Sequence, residues 1–188
     1  MSLTKSACTA TDAPIMHESL KRPYTECTTW HRNTVARIAK LRPALIVVGT
    51  SFAYRLVDSR TDPAAQWRAA WARTLDSLRD TGAQVAVIAD TPYLRSRVPG
   101  CLAQSPDDIS RCGRPLSSSL RGPEQRRVVL GYDSDPGVTV IDATPWLCTD
   151  FCPAVVGNVV VYRDSNHLST VYSRALAPLL ADRLPLRR

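Results

Sequence analysis

The sequence holds no run of about 18 apolar residues, so no helix of this chain is expected to cross a bilayer. Its opening stretch, MSLTKSACTATDAPIM, lacks the continuous apolar core of a secretory leader. There is no glycine-rich phosphate loop and no dinucleotide fingerprint, so no nucleotide cofactor is expected, nor any other. Lysine is scarce. Lys5, Lys21 and Lys40 are the whole set, and arginine supplies the rest of the 24 basic residues against 17 acidic ones. These positives are scattered, with short clusters at Arg126-Arg127 and Arg187-Arg188, and no basic helix is interleaved with aromatics. The net charge of +7 is therefore read as favouring solubility, and no nucleic-acid partner is expected. No internal repeat and no domain-sized linker divides the chain. Its 188 residues, 44% apolar and 22% charged, suit one globular domain with its own core and exclude wholesale disorder.

Taken alone, these absences describe a cytosolic chain, but the six cysteines disagree. They fall into three local couples: Cys8 with Cys27, Cys101 with Cys112, and Cys148 with Cys152. An even count in short, loop-rich intervals suggests disulfides and hence an oxidising compartment. The alternatives are unpaired thiols and a zinc site. Zinc favours tight cysteine pairs with histidine, and only Cys148 and Cys152, followed by Pro153, approach that spacing. No metal is expected.

Apolar periodicity then organises the chain. TTWHRNTVARIAKL, from Thr28, has helical spacing, a threonine available as N-cap, and Pro43 to end it. ALIVVG at 44–49 is a continuous apolar run, the mark of a strand buried on both faces. AAQWRAAWARTLDSLRDTG at 64–82 is a second helix, with Trp67, Trp71, Leu75 and Leu78 on one stripe and Gly82 as its stop. AQVAVIAD at 83–90 reads as the next buried strand. Residues 92–121 are rich in Pro, Ser, Arg and Gly and form a long loop tied by its own disulfide. PEQRRVVLGYDS is a weak helix with Pro123 in its first turn. GVTVIDAT at 137–144 is a third strand, PWLCTDFCPAVVG a stapled loop and NVVVY a short strand. Residues 168–184 form the last helix. Strands alternating with helices imply a parallel sheet covered on both faces, an α/β fold.

In such sheets, functional residues lie beyond the carboxyl ends of the strands. The exits carry Gly49-Thr50-Ser51, Asp90-Thr91-Pro92, Asp142-Ala143-Thr144 and, after NVVVY, Asp164 and His167. A hydrolytic histidine needs one ring nitrogen free for a nucleophile and the other held by an acceptor, and an aspartate three residues away on a turn can hold it. The plain alternative is helix capping, with Asp164 or Ser165 as the cap and His167 merely near the first turn. Trp67 and Trp71 read as core rather than as a carbohydrate platform. Trp146, beside the Cys148 loop, is the candidate sugar contact. Asp90 and Asp142 read as braces of the strand exits. His17 and His31 have no partner that spacing reveals.

DSNHLS, followed by an amphipathic closing helix, resembles the last sequence block of the SGNH (GDSL-like) hydrolases. In that family Asp-x-x-His supplies the acid and base of a Ser-His-Asp triad, which maps onto Asp164 and His167. LTKSAC, YTECTTWH, VAVIADTPYL, VPGCLAQ and VIDATPWLCTDFCP resemble, in that order, the SGNH domain fused behind the membrane acyltransferase-three family. The likeness runs from Leu3 to about Leu184, so residues 1–188 are expected to form a single, partial SGNH-like domain. The resemblance implies a three-layer α/β/α, flavodoxin-like fold and an extracytoplasmic or periplasmic esterase or O-acyltransferase module. Its partners would be a cell-surface glycan as acyl acceptor and the membrane acyltransferase domain of a longer parent. It also implies a first strand ending in Gly-Asp-Ser before LTKSAC. That block, with the nucleophile, is expected to be absent from this chain, leaving the sheet with an open edge. Ser51, in Gly49-Thr50-Ser51, is the nucleophile candidate within the chain, although the motif order sets it at a later strand exit. The alternative function is a catalytically inactive remnant or a glycan-binding domain.

Overall fold

The four apolar side chains spaced along residues 67–78 explain why this segment packs as a helix on two apolar clusters. Helix α2 (Pro63–Arg79) begins at Pro63, and its N-cap Asp62 accepts a hydrogen bond from the Ala65 amide. Trp67, Trp71, Leu75 and Leu78 fall on one face and are no more than 5% exposed. Burial at this level stabilises by roughly 1.5–3 kcal/mol per side chain. Just beyond the helix Gly82 takes a positive φ of 80° and its amide donates to the Arg79 carbonyl.

The computed structural model describes residues 1–185; the Arg187-Arg188 cluster lies outside them. The chain forms two compact units, with elements numbered along the chain. The first comprises Met1–Ala89 and Gly122–Ile141. It contains the short antiparallel pair β1 (Met16–His17) and β2 (Arg22–Pro23), then α1 (Thr25–Leu41), β3 (Leu45–Gly49), α2, β4 (Gln84–Ile88), α5 (Pro123–Leu130) and β6 (Val138–Ile141). Strands β3, β4 and β6 make a parallel sheet in that order, in register Val47↔Ala86 and Ala86↔Thr139. Helices pack around it, as an α/β fold of βαβ connections requires. Val85, Ala86 and Val87 point to alternate faces of the middle strand and all are at most 2% exposed, so both faces of β4 are covered.

β3 departs from the sequence reading. Ile46 and Val48 are buried, but Val47, on the opposite face, is 46% exposed. An apolar run does not say how many faces are covered, and β3 lies at the sheet's edge, paired only with β4 among the described residues. α1 also starts at Thr25, not Thr28. Its N-cap is Tyr24, without a side-chain cap. Cys27, inside the first turn, is disulfide-bonded to Cys8 and packs with Tyr24, Ile15 and Leu56.

The second unit comprises Asp90–Arg121 and Asp142–Leu184. Its elements are α3 (Val98–Gln104), β5 (Arg114–Pro115), α4 (Leu116–Ser119), α6 (Thr144–Leu147), β7 (Phe151–Cys152), β8 (Val155–Val156), β9 (Val159–Val160), α7 (Thr170–Ala175) and α8 (Ala177–Arg183). Residues 92–121, read as one long loop, therefore contain short helices, and Cys101–Cys112 ties α3 to a 3-10 turn at Ile109–Cys112. NVVVY does not extend the parallel sheet. β9 instead pairs antiparallel with β8 through a tight turn at Gly157, φ 57°. The closing helix is two helices with Leu176 between them and Pro178 in the first turn of α8. The core of this unit collects Leu94, Val98, Leu147, Val161 and Tyr162 around Cys112, Cys148 and Cys152.

Candidate active site

The turn after β9 is tightly specified. Tyr162 and Leu168 form an antiparallel bridge. Within it the Arg163 amide donates to the His167 carbonyl at 2.9 Å, and just beyond it the Ser169 amide donates to Val161 at 2.8 Å. The five intervening positions, Arg163 to His167, must therefore reverse the chain. Asp164 makes this possible: its Oδ1 accepts from the amides of Asn166 at 3.0 Å and His167 at 2.8 Å, an Asx turn. Its other oxygen, Oδ2, lies 2.8 Å from His167 Nδ1.

The helix-capping alternative is resolved by Ser169. Its hydroxyl accepts from the Tyr172 amide at 3.1 Å and donates to the Val160 carbonyl at 2.6 Å, so Ser169 caps α7 and Asp164 does not. Burial pushes the Asp164 carboxyl up, but the amides of Asn166 and His167 and then the imidazole outweigh it and hold the group down at about 2. Asp164 is thus a carboxylate at neutral pH. It favours the tautomer in which His167 carries its proton on Nδ1, leaving Nε2 with its lone pair outward. The His167 side chain is 61% exposed, and Nε2 has no hydrogen-bond partner among the described residues. Arg163 Nε stands 3.9 Å from Asp164 Oδ2 at the solvent side. The arrangement can accept a proton at Nε2 and stabilise the resulting imidazolium through Asp164.

Ser51 lies in the first unit, at the exit of β3. Its hydroxyl accepts from the Ala53 amide at 3.1 Å, and the neighbouring Thr50 hydroxyl accepts from Ala10 at 3.2 Å. Trp146 lies in the second unit, half-buried on α6, where it lines a cleft of about 390 Å³ with Thr149, Phe151, Pro153, Val156 and Tyr172. The Tyr172 hydroxyl donates to the Trp146 carbonyl at 3.0 Å, and α7, which carries Tyr172, follows directly on the His167 turn. Phe151 and Tyr172 were not visible as site residues, since their only signal is proximity in space. Asp142 accepts from the Thr144 amide at 2.9 Å, an Asx turn just ahead of α6, whose N-cap is Ala143.

All six cysteines are in disulfides, Cys8–Cys27, Cys101–Cys112 and Cys148–Cys152, with Cα separations of 5.3, 5.7 and 4.3 Å. They are therefore not thiolate ligands. No group of three or more His, Cys, Asp or Glu placed to hold a metal occurs among the described residues. Among those residues no helix is long and apolar enough to cross a membrane.

A family model described as an SGNH domain (fused to AT3 domains) matches residues 1–182. Among solved structures, the chain is similar in fold to the periplasmic domain of a lipopolysaccharide acetyltransferase of Salmonella ser. Paratyphi A. The TM-score is 0.61 at 16% identity, over 93% of this chain and 67% of that one. No curated protein sequence matches the chain.

Proposed function

Because the chain belongs to the SGNH domains that are fused to AT3 domains, we propose that it is the acyl-handling module of a membrane acyltransferase that modifies a cell-surface glycan. The observation that carries this reading is the Asp164–His167 pair, with Nδ1 bound to a carboxylate held at about 2 and Nε2 open. The mechanism follows from the chemistry of such a pair. A serine hydroxyl attacks an acyl carbonyl while Nε2 takes its proton, and Asp164 stabilises the imidazolium; the bond from the carbonyl carbon to the acyl donor's leaving group then breaks, and the imidazolium gives that proton to the leaving group. Nε2, neutral again, removes the proton of a sugar hydroxyl as its oxygen attacks the acyl-serine, and returns it to the serine oxygen as the acyl–serine bond breaks. The serine is proposed to lie outside residues 1–188, since no Gly-Asp-Ser occurs among them and Nε2 has no hydroxyl partner within its own unit. Extracytoplasmic location is supported by three disulfides and by the periplasmic origin of the similar structure. The similar structure belongs to a lipopolysaccharide acetyltransferase, which supports a lipid-linked polysaccharide as the class of acceptor. Trp146 and Phe151, which line the cleft, are the kind of aromatic side chain on which a pyranose ring can stack.

The test is made in the membrane protein that carries this domain. His167→Ala is expected to lower glycan acylation by about a thousandfold or more, the usual cost of removing a triad base. Purified alone, the chain is expected to leave a simple acetyl ester untouched. Ester turnover that vanishes in Ser51→Ala would instead make Ser51 the nucleophile. Unaltered acylation in His167→Ala, with glycan binding lost in Trp146→Ala, would establish the second reading, a binding domain without catalysis. The aromatic cleft is the observation that favours that alternative.

A further inference from the structure

The peptide unit between Asn166 and His167 is held at both ends. Its N–H donates to Asp164 Oδ1 at 2.8 Å, and its carbonyl oxygen accepts from the Thr91 hydroxyl at 2.9 Å. Thr91 stands just past β4, and its partner is 75 positions away in sequence. The two carbonyls before it are also held from the same segment. Leu94 donates its amide to Ser165 at 2.7 Å, and Val98 donates its amide to Asp164 at 3.2 Å. Three successive carbonyls of the turn are thus fixed by residues 91–98, and only the last of these bonds comes from a side chain.

A peptide unit is planar and rigid. Fixing its oxygen fixes the direction of its N–H, and here that N–H belongs to His167 and points at the carboxylate that orients the imidazole. We infer that Thr91 is a positioning residue for the Asp164–His167 pair, its hydroxyl setting the tilt of the Asn166–His167 peptide and through it the aim of the ring. Without that hydroxyl, the peptide is free to turn toward water, the His167 N–H leaves Oδ1, and the ring loses its fixed partner. The methyl group of Thr91 contributes none of this, so serine can replace threonine and valine cannot. Other charge near the carboxylate is supplied by Arg163, 3.9 Å from Oδ2 and largely in solvent, which screens it.

The inference takes its functional meaning from the catalytic reading above, but its test does not use turnover. In the purified chain, Thr91→Val removes the donor at nearly constant volume, and Thr91→Ser keeps it. The Asp164 carboxyl is followed by carbon-detected NMR through an acid titration. Wild type is expected to titrate at about 2. Thr91→Val is expected to raise that midpoint by about half a unit to one unit, as loss of one amide hydrogen bond to a carboxylate does. Thr91→Ser is expected to restore it. A folded Thr91→Val protein whose Asp164 midpoint is unmoved overturns the inference. Should the valine variant fail to fold, the wild type decides. A Thr91 hydroxyl proton that exchanges slowly with water supports the bond, and one that exchanges freely overturns the inference. An inert but correctly titrating protein would sink the catalytic reading and leave this one standing. An unmoved midpoint with active parent enzyme would do the reverse.

Discussion

At the scale of the residue, the sharpest constraint outside the site is Gly122. It takes φ 54° as the N-cap of α5, and a Cβ built there would stand 2.1 Å from the Phe52 carbonyl oxygen. That neighbour is backbone, with no rotamer to yield. Gly122→Ala is therefore expected to lose about 1–2 kcal/mol to the left-handed conformation alone, and more to the displaced Phe52 strand exit. Urea unfolding would read it as a lower midpoint at unchanged slope. Stability equal to wild type would mean that α5 shifts freely, against the packing of α5 on α2 beside Trp71. A second glycine, Gly113, meets the Phe151 ring, where an added Cβ would stand 2.3 Å from its edge, but a side chain can swing away and the cost there is lower. Single residues of this kind were invisible in the sequence, because the reason for each is an atom far along the chain. Asp164 and His167 sit at the other extreme. Their contact spans three residues, so its possibility could be read as a spacing. Thr91 could not, since its partner is 75 residues away.

At the scale of the element, periodicity served long segments and failed short ones. The stripe of α2 was legible because four side chains at intervals of three and four leave one geometry open. NVVVY was not, because a brief apolar run fits a parallel strand, a hairpin arm or a buried turn equally well. What holds the short elements of the second unit is covalent as well as apolar. Cys101–Cys112 joins α3 to the turn at Ile109–Cys112, and Cys148–Cys152 closes the loop that carries Phe151 to the rim of the Trp146 cleft. Loop entropy assigns about 3 kcal/mol to each of Cys8–Cys27 and Cys101–Cys112, and about 2 kcal/mol to the shorter Cys148–Cys152. Replacing Cys148 and Cys152 together by serine is accordingly expected to cost less stability than replacing Cys101 and Cys112. It should nevertheless disturb the cleft more, because Thr149 and Phe151 lie within the ring. Thermal unfolding ranks the two variants, and the Trp146 fluorescence spectrum reports the cleft. A Cys148/Cys152 variant with native Trp146 emission would show that the ring does not shape that wall.

At the scale of the whole chain, the question is what a three-stranded parallel sheet does with its outer edge. Parallel sheets are ordinarily buried, and an edge with unpaired N–H and C=O groups is a template for another strand. Here β3 pairs on one side only among the described residues, and its apolar Val47 is 46% exposed on the face that a covered strand would bury. Elsewhere α8 buries none of its residues, and Leu179 stays 44% exposed. Both are apolar side chains in solvent, and at β3 the exposed one lies beside the strand's open edge. The purified chain is therefore expected to associate as its concentration rises, and to unfold at modest temperature despite its disulfides. A charge at the exposed position discourages edge pairing without touching the buried face of β3, so Val47→Lys is expected to hold the chain monomeric to higher concentration and to leave the core unchanged. Sedimentation velocity over a concentration series, with calorimetry on the same samples, reads both effects. A wild-type monomer that stays monomeric throughout and unfolds cooperatively above about 65 °C, the upper end for ordinary mesophilic domains, would show that the edge of β3 needs no covering strand. If association persists unchanged in Val47→Lys, then the surface responsible is not β3, and the exposed leucine of α8 is the next place to put the charge.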